Sequence, residues 1–387
     1  MMRVFKWIGG VIAALILIAA IYVFGILVPS TDADKNHVLP HNPYPVSAEA
    51  KALHNSIYVA DLHADNLLWR RNSAKRQTRG HVDLPRLRDG GVDLQVFSAV
   101  TKSPRGLNFD ENDANAPDDI ALLSKVQLWP IRTWGSIYER AVYQAQRLHK
   151  IEAKAKNNLV IARKASDLNQ PDGALVGLLL TEGAHPLEGK IENIAKLYNE
   201  GYRAMGLQHF FDNKLGGSMH GQSKAGLTEF GRKAVTAMRA QGIIVDMAHS
   251  SEAVVREVLA LSPEPVFISH GGTISHCPKT ASRNLPDDVL LEIARRGGII
   301  GIGYFDGVIC DITPKGIAAA IIHANALLGP DAVALGSDFD GTVTTSLDTS
   351  ELAAITHELL AQGMSEAQIA KVMGGNARAF FLRELPQ

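Results

Sequence analysis

Eight short runs rich in β-branched and other apolar residues recur along the chain, and six of them lead directly into a histidine or a carboxylate. The runs are Ile57–Leu62, Leu94–Val100, Leu175–Leu180, Ala204–Gln208, Ile243–Met247, Val266–Ser269, Ile299–Tyr304 and Val333–Gly336. Longer stretches with apolar residues at helical spacing separate most of them, for example Leu227–Gln241 with Leu227, Phe230, Ala234, Ala237 and Met238. Strands alternating with helices predict parallel βα units, and eight such strands close a (β/α)8 TIM barrel of the α/β class. Ser251–Leu261 is predicted as a further helix, with Ser250 as its N-cap and Glu252 in its first turn. A helical pattern from about Pro117 to Ala165 is longer than one crossover needs, and predicts a lid-like insertion or an oligomer contact such as a homodimer would use.

The strand ends carry the chemistry. The first run leads into His63 and Asp65, which point the same way if the backbone is extended and so reach one metal ion together. The third leads into Glu182, the fourth into His209, the fifth into His249, the sixth into His270 and the eighth into Asp338. In a parallel barrel these ends meet on one rim, where barrel enzymes place their active sites. Taken singly, each has a bland reading: a strand-end His is commonly a hydrogen-bonded structural residue, and Asp338-Phe339-Asp340-Gly341 reads as a turn. Taken together they favour a metal site, because polar groups converging in a barrel mouth need a ligand or one another. With 14 His against 2 Cys, the ligands of such a site are expected to be imidazole and carboxylate.

The ordered motifs resemble the membrane dipeptidase (renal dipeptidase) family of zinc metallopeptidases, from about Ile57 to Phe381. They are Asp61–Asp65 with Trp69, His81-Val82-Asp83-Leu84-Pro85 with Leu87-Arg88, Glu182-Gly183, Gly226–Gly231, Asp246-Met247-Ala248-His249, Ser269-His270, Arg283–Asp288, Gly336–Gly341 and Gly375-Asn376. The resemblance implies a metallo-dependent hydrolase-like barrel with two Zn2+ per chain. His63 and Asp65 would hold one ion, His249 and His270 the other, and Glu182 would bridge them. A water between two such ions would lose a proton near neutral pH and attack a peptide carbonyl as hydroxide. The resemblance further gives His209 the role of a substrate-contacting donor to the developing oxyanion, Asp338 that of proton handling and of holding the free amino group, and Arg283 that of binding the terminal carboxylate. An enzyme that reads both ends of its substrate is limited to dipeptides. Ala64 departs from the polar Asn frequent in the family, and Tyr304 falls near a substrate-contacting Tyr without matching it.

Trp7 to Val28 is a charge-free run of 22 residues, long enough as a helix to span a bilayer. Arg3 and Lys6 before it, and Asp32 and Asp34 after it, predict a single-pass anchor with its N-terminus in the cytoplasm and the catalytic domain outside, in a bacterial periplasm. A cleaved signal peptide is the competing reading. The expected division is an anchor at 1–28, a Pro-rich extended tether at 29–46 and a catalytic domain at 47–387. Cys277 and Cys310 are expected to be free thiols, with a bridge as the alternative because both lie near strand ends. With 39 basic against 40 acidic residues, nucleic acid is not an expected partner; a dipeptide and the membrane are. The basic cluster Arg70, Arg71, Lys75, Arg76 and Arg79 reads either as a solvated loop or as a rim that steers carboxylate-bearing peptides inward. His185, His220 and His276 are expected beside the site or on the surface, outside the ligand set. The rival functions are a barrel metallohydrolase acting on β-lactams, lactones or cyclic amides, and a non-catalytic binding protein on the same scaffold.

Overall fold

The computed structural model describes residues 2–155, 158–170 and 173–387. Nine parallel strands form its sheet: β1 Ala60–Ala64, β2 Leu94–Val100, β3 Leu159–Ile161, β4 Leu175–Glu182, β5 Tyr202–Gly206, β6 Ile244–Asp246, β7 Phe267–Gly271, β8 Ile299–Ile302 and β9 Val333–Leu335. Eight of them close into a barrel, because β2 pairs with β4 as well as with β1, and β1 pairs with β9. The predicted eight-stranded barrel is therefore the observed one. The added strand, β3, pairs with the first residues of β4, on the edge that β5 takes further along. Sequence reading assigned this segment to a helical insertion; Leu159-Val160-Ile161 is too short a run to stand out beside the helix Ile137–Lys154.

Alternate strand residues divide between two apolar clusters. Ala60 and Leu62, Leu94 and Val96, Val176, Leu178 and Leu180, Ala204, Ile244 and Phe267 meet inside the barrel, which the C-terminal helix closes with Phe380 and Phe381. The opposite parity, including Phe97, Leu179, Met205, Val245 and Ile300, packs outward on helix residues such as Ala145, Val258, Ile293 and Ile321. This two-sided burial explains why the strands read as continuous apolar runs rather than as alternating ones. The insertion after β2 comprises the helices Asp119–Val126, Arg132–Gly135 and Ile137–Lys154; the last is the crossover, and the earlier part builds one wall of the barrel mouth.

Three expectations change. The helix after β6 is Glu252–Leu261 and its cap is Ser251, whose hydroxyl accepts from the Val254 N–H at 3.1 Å. Ser250 cannot serve, because His249 takes a left-handed φ of 64° and the chain turns before it becomes extended at Ser251. The segment after the apolar run is not extended from residue 29: helix continues through Val28–Lys35, and Val38 then pairs with Thr345 on the loop after β9. Cys277 and Cys310 form a disulfide, with Cα atoms 5.4 Å apart, which ties the loop after β7 to the loop after β8. Thirty-three residues separate the two in sequence, and only the closure of β7 on β8 brings them within bonding reach.

Candidate metal centre

The residues at the strand ends converge. Glu182, the last residue of β4, lies at the middle, with its Oε1 3.1 Å from His249 Nε2 and 3.6 Å from both His63 Nε2 and His270 Nε2. Its Oε2 lies 3.3 Å from His209 Nε2. Two compact groups share this carboxylate: His63, Asp65 and Glu182, and Glu182, His209 and His249. A third joins His63, His270 and Asp338. All seven side chains are buried. His209 and Asp338, expected to act on substrate rather than metal, thus stand within ligand distance of the cluster.

Local irregularities aim these side chains. The β1–β2 register shifts between Asp61 and Ala64, and the β7–β8 register between Ile268 and Gly271, the two segments that carry His63 and His270. Such shifts turn a side chain off the strict alternation of the strand. His249 and Asp338 both have left-handed φ values, 64° and 61°, which non-glycine residues hold only where surrounding contacts impose them. The carbonyl of His249 accepts from Met219 N (2.9 Å) and the Ser218 hydroxyl (3.1 Å). Asp61 fixes the other side of the mouth, accepting from the N–H groups of His63 (3.0 Å) and Ser337 (3.1 Å).

Electrostatics sets these groups apart. For His63, burial opposes the charge but Asp65, Glu182 and Asp338 outweigh it, and the imidazole is raised to about 10. Burial pushes His249 and His270 well below the ordinary histidine value, and Arg283 adds to it. Burial lowers His209 to about 4 and raises the Asp338 carboxyl to about 7, against the pull of His63. Burial and the Asp65 charge raise Glu182 well above the carboxylate range.

This donor set fits a bound metal. His63 Nε2 and Asp65 Oδ1 are buried without a hydrogen-bond partner. His249 Nε2 and His270 Nε2 face each other at 3.0 Å. Converging lone pairs of imidazole and carboxylate are what a divalent cation resolves, and what an apolar interior does not tolerate empty-handed. Arg283 is 2% exposed, with a terminal nitrogen 3.4 Å from His249 Nε2, and no carboxylate of the described residues lies within ion-pair distance of it. Together with Asp65, Glu182, His209, His249 and Asp338 it lines the cavity at the mouth, whose walls include Phe109, Phe210 and Phe305.

His185 stacks on Phe211, His220 stacks on Phe210 and bonds the Phe109 carbonyl at 2.8 Å, and His276 lies beside His323; none joins the metal-holding groups. The basic cluster separates: Arg70, Lys75 and Arg76 are exposed, whereas Arg71 is buried between Asp340 (2.8 Å) and Asp32 (3.3 Å). Residue-type reasoning assigned no role to Asp246 or Ser269. Both stand inside matched motifs, Asp246 three residues before His249 and Ser269 immediately before His270, and that closeness was the available signal.

A parallel barrel with a His and carboxylate cluster at its mouth defines a barrel metallohydrolase. Residues 47–383 match the membrane dipeptidase family (peptidase family M19), and the chain belongs to it. Among curated relatives, dipeptidase verJ of Clonostachys rogersoniana is 29% identical over 307 residues, covering 76% of this chain and 74% of that protein. Dipeptidase ataJ of Aspergillus terreus is 25% identical over 380 residues, covering 87% of each. The fold is shared with a metallopeptidase from Rhodobacter sphaeroides liganded with a phosphinate mimic of the dipeptide L-Ala-D-Ala (TM-score 0.68, 24% identity, 85% of this chain and 99% of that one). Family membership supports metal-dependent hydrolysis of dipeptides, and hence a hydrolase with a peptide substrate.

Proposed function

We propose that the protein is a binuclear zinc dipeptidase anchored in a membrane by its N-terminal helix, with the catalytic domain on the extracytoplasmic side. The observation that carries the metal assignment is Glu182, shared between the group of His63 and Asp65 and the group of His249. His63 and Asp65 would hold one ion, His249 and His270 the other, and Glu182 both. When bound, the two ions supply Lewis-acid activation of water and of the scissile carbonyl.

The chain's own residues do the rest. Arg283, a buried guanidinium without a carboxylate partner, binds the substrate's terminal carboxylate, since an unpaired buried charge is costly until an anion meets it. Burial keeps the His209 ring neutral near pH 7; to direct an Nε2–H toward the carbonyl oxygen as charge develops there, the ring gives up the 3.3 Å bond from its Nδ1 to the Lys102 carbonyl. Asp338 lies 3.9 Å from His63 Nε2 on the cavity wall; poised to about 7 by burial, it takes a proton from the attacking water and delivers it to the leaving amine. The cavity wall carries both the Asp338 carboxylate and the Arg283 guanidinium, which suits a substrate with a free amine and a free carboxylate.

The disulfide supports the compartment, because such bonds persist in oxidising surroundings. The helix Phe5–Lys35, with a mean hydropathy of 3.0 over its most apolar window, is long enough to cross a bilayer. The test is metal analysis of the full chain in detergent together with a panel of di- and tripeptides. About two zinc per chain, and chelator-sensitive cleavage of dipeptides but not tripeptides, is the expected result; a folded chain that binds no metal and cleaves neither would overturn the reading.

A further inference from the structure

The apolar helix does not end in a loose linker. Four residues past Val28, a rise of about 6 Å, Asp32 is already buried in the catalytic domain. Its carboxylate takes Arg79 Nε at 2.7 Å and Arg71 Nε at 3.3 Å, and Asn36 Nδ2 donates to it at 2.9 Å. Asn36 Oδ1 in turn accepts from the Thr342 N–H at 3.1 Å, and Thr342 lines the cavity. Arg71 and Arg79 lie on the loop after β1, and Thr342 on the loop after β9, so every anchor point of the helix is on the barrel's mouth side.

The surface carries a second, independent asymmetry. Among the described residues outside the N-terminal helix, the exposed large apolar ones are Leu39, Leu107, Leu122, Leu128, Ile131 and Leu261. Leu39 follows the helix, and Leu107, Leu122, Leu128 and Ile131 belong to the mouth-side insertion, with Ile131 exposed at 76%. Of these, Leu261 alone is elsewhere: it ends the helix that starts at the mouth after β6, and so lies at the opposite face of the barrel. The insertion is tied to the loop that receives the helix, since Gln127, next to Leu128, donates to the Leu68 carbonyl at 3.0 Å and accepts from the Arg70 N–H. Arg70 and Lys75, both exposed, stand on that same loop.

We infer that the mouth-side rim of the barrel rests on the lipid surface, with Leu122, Leu128 and Ile131 against the acyl boundary and Arg70 and Lys75 among anionic headgroups. A transmembrane helix clamped to the rim about one turn after its exit leaves that rim as the part of the domain nearest the bilayer. Apolar side chains flanked by basic ones are the chemistry of an interfacial membrane contact. The inference rests on the N-terminal helix being a retained anchor.

The full chain is placed in nanodiscs containing anionic lipid, with one fluorophore per chain on a cysteine introduced by Ile131→Cys, Leu261→Cys or Leu17→Cys. The paired state of Cys277 and Cys310 leaves the new thiol as the labelled one. Quenching by doxyl-lipid and by aqueous iodide is measured for each. The expected result is that labels at 17 and 131 lose most of their fluorescence to doxyl-lipid, while the label at 261 is quenched by iodide alone. If 17 is lipid-quenched and 131 behaves like 261, the rim does not touch the bilayer and the inference falls while the anchor stands. If 17 itself is quenched only by iodide, the anchor reading fails and the inference with it.

Discussion

Ser269 donates its hydroxyl proton to Asp246 across 2.7 Å, and that single bond decides the tautomers of two other residues. With its proton committed, the Ser269 oxygen has only lone pairs left for His63 Nδ1 at 3.1 Å and His270 Nδ1 at 2.8 Å. Both rings must then carry hydrogen on Nδ1, so that Nε2 is the nitrogen turned into the site and offers its lone pair once the ring is neutral. One hydroxyl thereby orients a ligand candidate from each half of the proposed metal pair. Asp246 is itself held by the N–H groups of Ala248 (3.0 Å) and Ser269 (2.9 Å).

Ser269→Ala is therefore expected to weaken metal binding about 10- to 100-fold, the usual cost of losing an outer-shell partner. Chelator competition on the metal-loaded variant measures it. Unchanged affinity with a normal thermal midpoint would show that the rings keep their tautomers without Ser269.

His63 predicts a proton count. In the metal-free protein its imidazole is raised to about 10, so it is protonated at neutral pH, whereas a metal ligand must be neutral. Metal binding is then expected to release a proton at pH 7, and apparent affinity to rise with pH until about 10. Calorimetric titration with zinc in buffers of different ionisation enthalpy reads the release directly; a heat independent of buffer would contradict it.

Glu182, Asp338 and His209 are separable by metal content. Glu182→Gln removes the charge that both groups share and is expected to drop metal below two per chain together with activity. Asp338→Asn and His209→Ala are expected to keep the metal and lose turnover about 100- to 10,000-fold, the usual range for a proton-transfer group or an oxyanion donor. Because both latter residues stand at ligand distance from the cluster, metal analysis is the decisive measurement. Loss of one metal from either variant would move that residue into the ligand set.

The barrel and the cluster of His and carboxylate groups were legible in sequence for the same reason: both follow from strand-end positions, which the eight apolar runs locate. His63, Glu182, His249 and His270 each stand where a predicted strand runs out. What escaped depends on three-dimensional closure. The disulfide needed β7 beside β8, and the three-residue β3 needed β4 as a template. The tether was misjudged because Pro29, Pro40, Pro43 and Pro45 suggest extension, yet Pro29 stands within the continuous helix Phe5–Lys35, just after the π-helical turn Tyr22–Leu27. In sequence Asp32 served only as a flanking charge that orients the anchor; its burial depends on Arg71 and Arg79, which the fold brings to it.

Asp340 gives the stability prediction. Burial opposes its ionisation, but Arg71 at 2.8 Å and His81 outweigh that and hold the carboxyl well below the usual range. Its oxygens also accept from the N–H groups of His81 (2.7 Å) and Val82 (3.3 Å). A carboxyl depressed in the folded state adds stability that is complete above its unfolded value of about 4 and is lost as pH falls toward the folded value. Asp340→Asn leaves Arg71 buried beside Asp32 alone, and breaking a buried pair in this way costs about 3–5 kcal/mol. The variant is expected to be less stable by that order at pH 7 and by progressively less as pH falls below about 4, so the two denaturation curves converge in acid. Parallel curves from pH 7 to 3 would mean that the Asp340 charge does not sustain the Arg71 contact.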